Sequence, residues 1–173
     1  MYSLWLTFSA ADQKRLQQAV SCLAQATGAP VFAPHITLVG EIDRPLEDIS
    51  RACEEICASL GAGGVTITSL GRGDSYFMAL YLNATLPAVL QHARSELAER
   101  LLDDSNRIDP AHISLAYGGD ALATLALADT VSQEFIGGPL QAERIEIVRS
   151  SRDIPVKDWR RVASFDLSAA VFG

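Results

Sequence analysis

Two hydrophobic periods alternate along this chain. Residues 2–8 (YSLWLTF) are apolar and rich in β-favouring side chains, which predicts a strand. Ser9 follows, with Asp12 three residues on, a short form of the capping box that opens a helix. Leu16, Ala19, Val20 and Leu23 then recur at helical spacing, and Gly28 is placed to end that helix. Residues 35–39 (HITLV) read as a second strand. A second helix from Leu46 to Leu60 carries Ile49, Cys53 and Ile56 on one stripe. Glycine-rich punctuation at 61–64 precedes a strand at 65–70, a turn at Gly71-Arg72-Gly73-Asp74 and a returning strand at 75–83. The second half repeats the theme with a helix at 87–102, a strand at 111–117 and a helix near 121–134. Two closing strands fall near 140–149 and 161–171. Strands and helices alternate with hairpin-like neighbours, so the pattern predicts an α+β fold and not a purely parallel sheet. No linker rich in Pro, Gly or Ser divides the chain, and residues 1–173 read as one domain of two similar lobes.

Within this pattern one short phrase occurs twice. Of the three histidines, His35 lies in Pro34-His35-Ile36-Thr37-Leu38 and His112 in Ala111-His112-Ile113-Ser114-Leu115, 77 residues apart. Each copy reads His, apolar, hydroxyl, apolar within a predicted strand. Side chains alternate along a strand, so each histidine shares a face with its hydroxyl ~6.6 Å away, while Ile and Leu face the core. A pseudo-twofold relation between the halves would bring the two polar faces together in a cleft. A lone strand histidine is usually structural; the matched pair is what points to chemistry. His92, in the helical VLQHARSEL with no hydroxyl two residues on, reads as a solvated or rim residue.

Composition narrows the partners. The chain is 49% hydrophobic and 20% charged, the proportions of a globular protein with a sizeable core, which excludes a disordered chain. There are 14 basic and 21 acidic residues, giving a net charge of −7 and a pI near 4.9. Proteins of long nucleic acid take most of their affinity from neutralising phosphates and carry a basic footprint. None shows in these totals, so a small soluble substrate is expected and long nucleic acid is not. The start MYSLWLTFSAADQKR lacks the basic and long apolar regions of a signal peptide, and no apolar run approaches the ~20 residues that cross a bilayer. Cys22, Cys53 and Cys57 are an odd, helix-borne set, read as inert small hydrophobes in a reducing compartment. A cytoplasmic monomer, without cofactor or membrane partner, is the expectation.

The paired His-x-Thr/Ser-hydrophobic signatures resemble those of the 2H phosphoesterase superfamily. Within it the chain looks similar to the small cyclic nucleotide phosphodiesterases of the plant and yeast type. The segments YSLWL, FAPHITLVG, SYFMALYLN, AHISLAY and DWRRVASFDL fall in family order over essentially the whole chain. The resemblance implies a bilobal α+β fold with an antiparallel sheet in each lobe. It also implies metal-independent opening of a nucleoside 2′,3′-cyclic phosphate, or of ADP-ribose 1″,2″-cyclic phosphate, to a phosphomonoester. Carried over by residue, His35 and His112 become the acid–base pair, and Thr37 and Ser114 the donors to phosphate oxygens. Tyr117, five residues after His112, would orient a water or the substrate, and Trp5 would supply an aromatic surface. Core or rim packing is the rival reading for both of these aromatics. The first copy has Gly40 where a symmetric tyrosine would stand, so the halves are not equivalent. The sequence leaves open which histidine is the base.

The chemistry suits the residues. Opening a cyclic phosphodiester needs a base for water and an acid for the departing sugar oxygen on opposite sides of phosphorus, and imidazole serves both near neutrality. Ring strain lessens the need for a Lewis acid, and the hydroxyls can follow the charge moving onto non-bridging oxygens. Other candidates are weaker. Asp109, His112 and Ser114 lack the elbow of a Ser-His-Asp nucleophile. Gly71-Arg72-Gly73 lacks the spacing of a phosphate loop, although Arg72 could reach a substrate phosphate. Two histidines and a carboxylate have no metal-ligand spacing behind them. Residues 149–161 read as a solvated loop anchored by Trp159. RNA 2′,3′-cyclic phosphate end processing by an RNA-ligase-like enzyme is the second expectation, and a non-catalytic nucleotide-binding module the third.

Overall fold

The computed structural model describes residues 1–104, 109–118 and 125–167. β1 (Tyr2–Phe8) leads into α1 (Ala10–Thr27), which begins where the Ser9 hydroxyl accepts the Asp12 backbone N–H at 3.2 Å. It ends at Gly28, whose left-handed φ of 70° favours glycine and lets its N–H reach the Ala24 carbonyl at 2.9 Å. Both signals were legible as Ser9-x-x-Asp12 and Gly28. The remaining elements are β2 (Ile36–Ile42), α2 (Leu46–Cys57), β3 (Gly63–Arg72), β4 (Leu80–Thr85), α3 (Ala88–Leu101), β5 (His112–Ala116), α4 (Leu125–Ser132), β6 (Pro139–Arg149) and β7 (Arg160–Asp166). The predicted residues 121–124 and 168–171 lie outside the described residues.

All strands join antiparallel in one sheet, ordered β1-β2-β5-β4-β3-β6-β7, and β1 also pairs with β6. Instead of a separate sheet in each half, hydrogen bonds link the strands at two places. The 11-residue β6 pairs with β3 at its start (Leu140 with Val65) and with β1 further along (Ile145 with Leu6). On the other side β2 and β5 meet through a single residue pair, Ile36 with Ile113. The helices pack around this sheet, α1 against β1 and β5, α3 against β2, and α2 against α3, β6 and β7. As the alternation predicted, Ile36, Leu38, Ile113 and Leu115 are all buried in the core. Burial pushes the Cys53 thiol up to about 12 and that of Cys57 to about 11, so neither ionises near neutrality and the inert reading stands for both. Among the described residues no helix is long and apolar enough to cross a membrane.

The returning strand expected at 75–83 is shorter. Tyr76–Met78 form a 3₁₀ turn, and β4 starts only at Leu80. Tertiary partners decide this. The Ser114 hydroxyl donates to the Phe77 carbonyl at 3.0 Å, and the Gly118 N–H to that of Tyr76 at 2.7 Å, which fasten the turn to the end of β5. At Gly71 a Cβ would sit 2.3 Å from the Tyr81 ring, so only glycine admits that ring against β3.

Candidate active site

The single β2–β5 contact sets the site. Ile36 and Ile113 hold equivalent places in the two repeated phrases, and the pairing is antiparallel. One step along the register brings His35 opposite Ser114 and Thr37 opposite His112, all on the face away from the Ile and Leu side chains. Trp5, His35, Thr37, His112, Ser114 and Tyr117 accordingly line one cleft of 330 Å³. All six residues singled out from sequence are brought together.

Each imidazole is held in the same way. His35 Nδ1 lies 2.7 Å from the Ala33 carbonyl, and His112 Nδ1 lies 2.8 Å from the Pro110 carbonyl, in both cases two residues back. A carbonyl oxygen only accepts, so Nδ1 carries the hydrogen and Nε2 is left for proton transfer. The Nδ1 of His112 therefore bonds to backbone, not to the Asp109 carboxylate that a triad would require.

Their surroundings differ. His35 is 6% exposed and lies face to face with the Trp5 indole, with ring centroids 3.6 Å apart and planes 5° from parallel. Burial pulls its pKa from 6.5 down to about 4; the Ala33 hydrogen bond opposes this, and the nearby His112 adds to the lowering. His35 is thus neutral at physiological pH. His112 is half-buried, and the Tyr81 ring meets it edge-on at 5.4 Å. One face of Trp5 is thus taken by His35, and the buried indole forms part of the cleft wall.

The hydroxyls differ as well. Thr37 is half-buried, whereas Ser114 is buried, with its proton on the Phe77 carbonyl. Tyr117 is also buried, stacked on Phe32 at 3.8 Å and close to Ser114. Burial raises its pKa, so the phenol stays protonated. Trp5 and Tyr117 are both packed, and both line the cleft.

Contributors from two parts of the chain, residues 149–161 and α3, were missed from sequence. Residues 149–161, expected as a solvated loop, form a wall of the cleft: Ser150 and Ser151 are buried, and Trp159 faces in. The indole N–H of Trp159 does anchor the loop, donating to the Ile154 carbonyl at 3.0 Å. Its ring lies 23° from parallel to Phe77 at 6.0 Å, and edge-on to Trp5 at 5.6 Å. From α3 comes Arg94, 3% exposed. Its guanidinium donates to the Leu38 carbonyl at 2.9 Å, the Thr37 carbonyl at 3.2 Å and the Asp109 carbonyl. One side chain thereby ties β2 to the segment entering β5. Burial lowers its pKa, opposed by the nearby Asp109. A basic residue at an apolar helical position was its only sequence signal. Arg72 is exposed in the β3–β4 hairpin, where it pairs across to Leu80, and does not line the cleft. His92 is exposed, as expected.

An α+β antiparallel sheet with two His-x-hydroxyl strands sharing a cleft is the arrangement expected of the two-histidine phosphoesterase class. The chain belongs to the 2′-5′ RNA ligase superfamily, whose model matches residues 8–154, and so to the 2H phosphoesterases. No curated protein sequence matches it. Among solved structures it is similar to TT0787 of Thermus thermophilus, at 16% identity over 98% of each chain with a TM-score of 0.62. It is also similar to Escherichia coli LigT complexed with phosphate (14% identity, 96% of each chain, TM-score 0.57). The LigT complex with 3′-AMP is comparable, at 13% identity over 96% of this chain and 97% of that one, with a TM-score of 0.58. At these identities the likeness establishes the fold.

Proposed function

We propose that this protein hydrolyses small cyclic phosphates, opening a nucleoside 2′,3′-cyclic phosphate or ADP-ribose 1″,2″-cyclic phosphate to a phosphomonoester without a metal ion. His35 is the general base and His112 the general acid. The observation that carries this reading is the pair of imidazoles on one cleft, each with Nδ1–H committed to its own backbone. A buried, neutral His35 has its Nε2 lone pair ready at physiological pH, which favours it as the base.

In the reaction the His35 Nε2 takes a proton from water as the water oxygen bonds to phosphorus. The bond from phosphorus to one ring oxygen breaks, and that oxygen takes the proton from His112 Nε2. His112 loses its charge as His35 gains one, so the pair carries one imidazolium before and after the step and two need not coexist. Thr37 donates to a non-bridging oxygen; Ser114 joins it by turning its proton from the Phe77 carbonyl. With the Trp5 face occupied, Phe77 and Trp159 form the aromatic wall for a base. The fold-related E. coli LigT has been solved with phosphate and with 3′-AMP, which supports a nucleotide phosphate as the kind of ligand for this cleft.

The superfamily's name favours a second reading, processing of RNA ends. The net charge of −7 and the cleft carboxylates Glu41 and Asp109 weigh against gripping a polyanion. The test is phosphorus NMR with excess chelator, using cyclic 2′,3′-AMP, ADP-ribose 1″,2″-cyclic phosphate and an RNA ending in a 2′,3′-cyclic phosphate. A monoester resonance from the small substrates, absent with His35→Ala and His112→Ala, is expected. Turnover of the RNA alone would transfer the assignment to RNA ends, and dependence on metal would remove the metal-free mechanism.

A further inference from the structure

The cleft adjoins a larger hollow of 520 Å³, and the two share Thr37, Gly40, Glu41, Asp109 and Arg152 as walls. Among the described residues Arg152 is the one lysine or arginine lining the cleft. Its side chain is exposed and has no hydrogen bond or ion pair among the described residues. The other arginines of the hollow are committed: Arg94 to three carbonyls, and Arg44 to Asp103. Arg152 is thus a cation held at the junction for which the fold has no use.

Its backbone is fixed there. The Arg152 N–H donates to the Glu41 carboxylate at 3.1 Å, and Glu41 has a φ of 54°, the left-handed region where a non-glycine residue is strained. The strain lies where the β1–β2 register shifts, a bulge that re-aims the side chain. Carboxylates surround the junction, with Glu41 and Asp109 in both compartments and Asp43 and Asp103 in the hollow. A single guanidinium in acidic surroundings suits one phosphate group and repels a chain of them.

We infer that Arg152 binds a second, non-reacting phosphate of the substrate, so that the preferred substrate is a cyclic phosphate bearing one further phosphate rather than a bare nucleoside cyclic phosphate or a long RNA. This rests on the cyclic phosphodiesterase reading and narrows its substrate class. The reacting ring sits between the histidines, and the remainder of the molecule extends past Arg152 toward the hollow.

The experiment compares kcat/KM for cyclic 2′,3′-AMP with that for the same nucleotide carrying a 5′-phosphate, in wild type, Arg152→Lys and Arg152→Met. The ratio of the two substrates within one preparation cancels any loss of folded protein. Wild type is expected to favour the 5′-phosphorylated substrate by about tenfold or more, the worth of a charge-assisted hydrogen bond, chiefly through KM. Arg152→Met loses that preference, and Arg152→Lys keeps part of it. A wild-type ratio near one, or an unchanged ratio in Arg152→Met, overturns the subsite while leaving cyclic phosphate opening intact. A preference for an oligonucleotide over both substrates overturns it in favour of RNA. Failure to open either ring removes the reading beneath it.

Discussion

The two half-sites begin alike and finish apart. Each offers a histidine whose Nδ1 binds the carbonyl two residues back, and a hydroxyl two residues on. The first is sealed: His35 lies under Trp5, and burial holds its pKa at about 4. The second is more open at its histidine and closed at its hydroxyl, with Ser114 buried and held by the Phe77 carbonyl. The repeated phrase gives two strands the same histidine and hydroxyl spacing, and neighbours from other elements bury one of the two histidines. Equal local geometry does not make equal chemistry when desolvation differs.

The sharpest way to break the comparison is to remove either histidine. His35→Ala and His112→Ala are each expected to lower kcat by at least ~10²-fold in a folded protein, as judged by circular dichroism. A near-normal rate in either would take that half-site out of the mechanism. The asymmetry itself shows in pH dependence. The acid limb of kcat/KM is expected at about pH 4, where His35 takes a proton, well below its ordinary 6.5. Trp5→Ala, which lets water reach the ring, should move that limb up toward 6.5, at a stability cost of about 3–5 kcal/mol. If the limb does not move, burial under Trp5 is not its cause.

Stability reports the same difference. Between pH 6.5 and about 4 the unfolded chain binds a proton at His35 that the native state refuses, so this residue makes stability fall as pH falls through that window. His35→Gln should remove that part of the slope in urea titrations, whereas His112→Gln should keep the larger, burial-driven share of it. Arg94 tests what joins the halves. Each carbonyl that Arg94→Met leaves unpartnered costs about 1–3 kcal/mol, and kcat should drop more than KM changes because β2 and the approach to β5 lose their tie. Partial recovery in Arg94→Lys would mark positioning, whereas loss of stability with normal kcat would limit Arg94 to packing. The smallest effect belongs to Tyr117→Phe, which removes only the phenol hydroxyl and keeps the stack on Phe32; a change of about 0.5–1.5 kcal/mol in urea titrations is expected.

Much of this was readable before any coordinates. Ser9 and Gly28 bracket α1 through local backbone chemistry, and they appear in the chain as they act in the fold. The face shared by each histidine and its hydroxyl follows from strand alternation, which acts over two residues. What escaped depends on distant partners. Phe77 reads as part of a strand, and a serine 37 residues away turns it into a 3₁₀ segment. Arg94 reads as an ordinary helical basic residue until its three carbonyl partners, from β2 and from just before β5, are known. Trp159 reads as a loop anchor, which it is, and only the fold turns that loop into a cleft wall.

The sequence by itself determined the elements, the core faces and the paired histidine motif, because capping, periodicity and alternation act between near neighbours. The tertiary structure alone decided which histidine is dry, which hydroxyl is held and, among the described residues, where the cleft's uncommitted arginine stands. Those properties are set by burial and by contacts between segments far apart in the chain, and no local pattern carries them.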